Sequence, residues 1–154
     1  MADPLSVIAS AIAVVSTGVT CANSLLGVIE GIRNAPNELI ALSNEVNNLN
    51  SIIDEAQKVC KSLATEGLST TQFIDTFERL LKEADGVLVD LSGMVLKYRS
   101  CVGRLKQSTW WMRQKNPIKN KLVKLQGIRS HISELLTLAT VSVLLCFAVV
   151  SSEI

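Results

Sequence analysis

The chain has 154 residues, a net charge of +1, 48% hydrophobic but only 4% aromatic residues, and few turn formers, with 8 Gly and 3 Pro. That length suits one domain with a sizeable core, and an apolar content built on Leu, Val, Ile and Ala argues against an all-β sandwich, which needs a turn about every 8–12 residues. The cysteines, Cys21, Cys60, Cys101 and Cys146, form no CxxC pair, and His131 has no ligand-spaced neighbour, which argues against a zinc site; the cysteines read as small buried hydrophobes in a reducing compartment.

The first element runs from Leu5 to Ile29 without a charged residue. A signal peptide would open with positive charge, whereas Asp3–Pro4 reads as a helix cap followed by a first-turn proline. Leu5, Ile8, Ile12, Val15, Val19, Ala22, Leu26 and Ile29 recur at helical spacing. A second stripe, Ser6, Ser10, Ala13, Thr17, Thr20 and Ser24, is small and weakly polar, and its hydroxyls can bond back to their own backbone.

A second helix starts near Asn34–Pro36–Glu38. Leu39, Leu42, Val46, Leu49, Ile53, Ala56, Cys60 and Leu63 form a single seam, with polar residues such as Asn44, Asn47, Asp54 and Lys58 between them. After Gly67 a third helix carries the same spacing in Ile74, Phe77, Leu81, Ala84, Leu88, Leu91, Val95 and Tyr98, and weakens near Ser100–Gly103. The basic segment Arg104–Lys115 is expected to be a short helix. Asn116–Pro117 signals a new start, from which Ile118, Leu122, Leu125, Ile128, Ile132, Leu135, Ala139, Val143, Cys146 and Val150 carry a stripe to the end. The stretch LATVSVLLCFAVV is more apolar than a solvent-facing bundle helix requires.

The economical fold is an all-α, up-and-down bundle of four long helices plus one short helix, a single domain over residues 1–154. The charge-free first helix is expected at its centre, because helices apolar on most sides are buried in a core or a membrane. Two membrane spans, 5–29 and 135–152, are each about long enough, but the hydroxyl-rich first segment and the seams of helices two and three favour a bundle.

Charge is segregated. Residues 1–90 carry 12 acidic and 5 basic side chains, residues 91–154 carry 2 and 10, and no Asp or Glu lies between Leu91 and Ser133. A basic face docked on acidic helices explains this, and so does contact with an anionic surface. For the second, the candidates for anionic lipid are Arg104, Lys106, Arg113, Lys115, Lys119, Lys121 and Lys124, with Trp110 and Trp111 as interfacial aromatics. Adjacent helical positions point about 100° apart, so one Trp is expected in the core and the other partly exposed. Nucleic acid is disfavoured, since the domain is not basic overall and has no recognised motif. With no nucleophile–base pair, phosphate loop or metal cluster, neither an enzyme nor a cofactor is expected.

The opening DPLSVIASAIAVV and the polar-rich ELIALSNEVNNLNSII, with the later STWWMRQKNPIKNKLVKLQGIRSHISELLTLA, resemble the N-terminal domain of fungal STAND proteins, the NOD-like receptors of filamentous fungi, in the HeLo-like helical-bundle group. The resemblance implies a signalling or effector domain of an innate-immunity-type receptor, self-associating on activation and ahead of a NACHT or repeat domain. It further implies a cytoplasmic protein that moves to the membrane and triggers cell death through its first helix. The membrane-insertion candidates are then Leu5, Ile8, Ile12, Val15, Val19 and Leu26, on a segment of about 37 Å that is buried at rest. The alternative is a soluble helical adaptor that binds partner proteins without membrane activity.

Overall fold

Four helices make up the described chain: α1 (Pro4–Glu30), α2 (Asn37–Thr65), α3 (Thr71–Ser100) and α4 (Arg104–Ser152). The computed structural model describes residues 4–65, 71–101 and 103–153, and the side chains of residues 4–8, 10–12, 14, 17, 64, 65 and 71 lie outside it. The connections are set by local backbone chemistry. Asn34 takes a left-handed φ of 56° after α1, a conformation Asn tolerates better than most residues. Gly103 caps α4 at φ 95°, where any side chain would be strained.

The seams of α2 and α3 are the heart of the core. Every seam residue from Leu39 to Leu63, and every one from Ile74 to Tyr98, is buried. Val15, Ala22, Leu25 and Ile29 join them from α1, and Trp111, Ile118, Leu125, Ile128, Ile132 and Leu136 from α4. Burial pushes the Cys60 thiol up to about 11, so it is an unreactive core side chain.

The helices form a four-cornered bundle in which α1 packs on α2 and α3, and α4 packs on the same two. Side-chain pairs fix the directions. Asn50 of α2 donates to Asn23 of α1 at 3.3 Å, an antiparallel register given by the short connection. A Cβ on Gly31 would meet the Arg99 guanidinium at 3.2 Å, so the C-terminal ends of α1 and α3 lie together and the two run parallel. Asp90 with Lys121, and Tyr98 with Trp111, set α3 and α4 antiparallel. The directions thus alternate up and down, but α2 and α3 sit across a diagonal, as do α1 and α4. The upper pole holds the ends of α1 and α3 and the starts of α2 and α4. The lower pole holds the first turn of α1 and the last turns of α4.

Two expectations change. The basic segment is no separate short helix: α4 runs unbroken through Pro117. Proline removes the bond to the Arg113 carbonyl, yet Arg113 and Pro117 are both exposed, so water can satisfy that carbonyl while Trp111 and Ile118 hold the flanking turns in the core. Nor is α1 central. It occupies a corner, with Ala9, Ala13, Ser16, Thr20, Ser24 and Gly27 exposed. Its lack of charge reflects small and hydroxyl side chains, of which Thr20 donates to the Ser16 carbonyl at 2.8 Å.

One buried ion pair ties α2 to α4, between Glu45 and Arg129. Glu45 is buried while Arg129 is about a third exposed. Glu45→Ala is expected to lower stability by about 2 kcal/mol, below the range for a fully buried pair because Arg129 partly rehydrates. An unchanged urea midpoint would show that the pair contributes nothing.

Candidate membrane-contact surfaces

The cations of α4 divide by their partners. Lys115 and Lys119 reach Glu38 of α2 at 3.4 and 4.0 Å, and Lys121 reaches Asp90 of α3 at 2.9 Å. With Arg129 on Glu45, these neutralise the acidic helices on which α4 packs. Arg104, Lys106, Arg113 and Lys124 make no ion pair among the described residues. The charge split therefore has two parts: cations that dock α4, and cations left to solvent.

Glu38 sits in the first turn of α2. A bond to its own backbone N–H, then Lys115 and Lys119, outweigh burial and hold its carboxyl below the ordinary glutamate value of 4.5. A carboxyl depressed in the folded state stabilises above its unfolded value, and that contribution is lost as pH falls through the folded one. A Glu38→Gln variant should therefore lose less stability than the wild type on acidification below about 4.5, as read by melting temperature against pH. Parallel loss in both would remove Glu38 from the acid response.

At the upper pole, Trp111 is buried edge-to-face with Tyr98, ring centroids 5.4 Å apart, and Trp110 is half-buried against the same tyrosine, centroids 5.8 Å apart. An open groove of about 370 Å³ lies beside them, lined by Cys101, Leu105, Lys106, Thr109, Trp110 and Arg113. Leu105 is 86% exposed and Met112 71% exposed.

At the lower pole, α4 outlasts its partners. The antiparallel register set by Asp90–Lys121 places the first turn of α3 beside Leu136–Ala139, the last buried residues of α4. Beyond them, among the described residues, only Val143 is half-buried. The helix continues for about 20 Å, with Leu144, Leu145, Phe147, Val149 and Val150 between 50% and 62% exposed. From Leu135 to Ser152 it has no charged residue, with Glu134 and Glu153 at its borders. By length and composition this is a helix able to cross a membrane, and almost none of the run is buried. Its hydroxyls turn inward: Thr137, Thr140, Ser142 and Ser152 each donate to a carbonyl of the preceding turn at 2.8–3.0 Å.

Of the insertion candidates on α1, the side chains of Leu5, Ile8 and Ile12 lie outside the described residues. Val15 is buried, and Val19 and Leu26 are half-buried against the core. The internal counter-ions Glu38, Glu45 and Asp90 carry no signal in the sequence beyond the overall charge split. No group of three or more potential metal ligands occurs among the described residues.

No family model matches the chain, and neither the curated proteins nor the solved structures contain a match to it; the surfaces at the two poles are what the chain itself offers as a guide to function.

Proposed function

We propose that this protein is a non-enzymatic helical module that works at a membrane, with Thr140–Ser152 of α4 as its lipid-embedded part. The observation that carries this reading is the run Leu144–Val150: seven consecutive residues, all apolar and all exposed. They cover every side of two helical turns. A helix that docks into a protein groove needs one apolar face and one polar face, whereas an apolar surface all round suits hydrocarbon. The length supports it: the uncharged run is about 27 Å long, of which Thr140–Ser152, about 20 Å, stands clear of the bundle and reaches well into a hydrocarbon core of about 30 Å. So do the back-bonded hydroxyls, since polar groups in lipid have to be satisfied within the helix.

Flotation tests this. The full chain should float with neutral phosphatidylcholine liposomes, stay with them in high salt, and resist alkaline carbonate. Complete release by carbonate would overturn the reading.

The resemblance to the N-terminal domains of fungal STAND receptors supplies the role: a signalling or effector module that self-associates at the membrane and triggers cell death under a NACHT or repeat domain. In this reading α1 is a second segment that can enter lipid, since its first turn shares the lower pole with the end of α4. Ser16→Lys/Thr20→Lys, on the exposed face of α1, should then abolish dye release from liposomes while leaving the fold and membrane attachment intact. Undiminished dye release would remove α1 from the effector step.

A further inference from the structure

The upper pole carries a surface that a membrane contact at the lower pole leaves unused. Arg104, Lys106 and Arg113 have no ion partner among the described residues, and Lys97 and Arg99 at the end of α3 share their pole. The acid in the adjoining first turn of α2, Glu38, is already held by Lys115 and Lys119. This leaves concentrated positive charge around an open groove. Apolar groups accompany it: Leu105 and Met112 are seven residues apart on one row of α4, and Lys106 and Arg113 are seven apart on the next, with Trp110 beside them. Exposed Leu and Met next to cations and a half-buried Trp make up the chemistry of an interfacial helix on anionic lipid.

Distance decides which lipid. From Leu105 to Leu135 the axis of α4 runs about 45 Å, many times the Debye length of about 8 Å at physiological ionic strength. A lipid surface that holds the end of α4 is therefore electrostatically invisible to the groove. We infer that the groove of Leu105, Lys106, Trp110 and Arg113, with Arg104, binds the anionic surface of a second membrane facing the first; this rests on the reading of Thr140–Ser152 as the embedded part. The protein is then a spacer between two bilayers, with α4 as its strut.

The test places the full chain in neutral phosphatidylcholine proteoliposomes and adds labelled vesicles of phosphatidylcholine containing phosphatidylserine. Wild type should capture the anionic vesicles, less so as salt rises, and should ignore neutral ones. The triple variant Arg104→Gln/Lys106→Gln/Arg113→Gln breaks no ion pair of the bundle and should bind the anionic vesicles roughly a hundredfold more weakly. Leu105→Ser/Met112→Ser should weaken capture without changing its salt dependence. Capture that ignores either variant, or is equal for neutral vesicles, overturns the inference. So does binding of polyglutamate, lost in the triple variant, by a wild type that captures no vesicles, since the groove would then be an acidic-peptide site. The two readings fail separately. A chain that resists carbonate but captures nothing refutes the second-membrane contact alone. A chain that carbonate extracts, yet binds anionic vesicles through the three cations, refutes the embedded α4 and the two-membrane geometry.

Discussion

Replacing Leu144 and Leu145 together by Lys should release the chain from membranes while leaving its bundle intact. Both residues sit at the middle of the uncharged run and are more than 60% exposed. A Lys at the centre of a membrane helix costs about 3 kcal/mol, and the Leu it replaces loses a further few tenths. Two such changes oppose insertion by about 6–7 kcal/mol, roughly 20,000- to 100,000-fold in partition. The variant should move from the carbonate-resistant pellet to the supernatant and melt like the wild type. If it remains in the pellet, the end of α4 is not what holds the chain there.

Leu25→Asp should do the opposite. Leu25 is fully buried where α1 meets the core. The change removes a Leu side chain from a close-packed site, worth about 3–5 kcal/mol, and places a carboxylate where no cation is paired to receive it. Since a domain is stable by only about 5–15 kcal/mol, the variant should be largely unfolded by circular dichroism at room temperature. Leu25→Ala should fold but melt well below wild type. If Leu25→Asp keeps the wild-type melting curve, α1 contributes little to the bundle.

The sequence exposed the fold where its period was unbroken. The seams of α2 and α3 could be read residue by residue, because a 3,4 spacing leaves a helix one face to bury, and Leu39–Leu63 and Ile74–Tyr98 are buried accordingly. Local signals misled where tertiary contacts outweighed them. Asn116–Pro117 has the form of a helix start, yet Trp111 packing on Tyr98 carries α4 across it. The absence of charge in α1 suggests burial all round, but Ser, Thr and Ala can also face water. The excess apolarity of LATVSVLLCFAVV was visible in the sequence. That this stretch stands clear of the bundle was not, because it depends on α4 being one helix of 49 residues against 30 for α3. Which cations dock α4 and which stay free was likewise hidden, since Glu38, Glu45 and Asp90 come from helices far away in the chain.

Cys146 allows the membrane role of α4 to be measured at its centre. It is exposed, eleven residues after Leu135 and six before Ser152, while the other three cysteines can be replaced by Ala. An environment-sensitive fluorophore on Cys146, in full chain bound to phosphatidylcholine liposomes, should emit blue-shifted and be protected from an aqueous iodide quencher. Emission at the wavelength seen in water, with full quenching by iodide, would contradict a lipid-embedded α4.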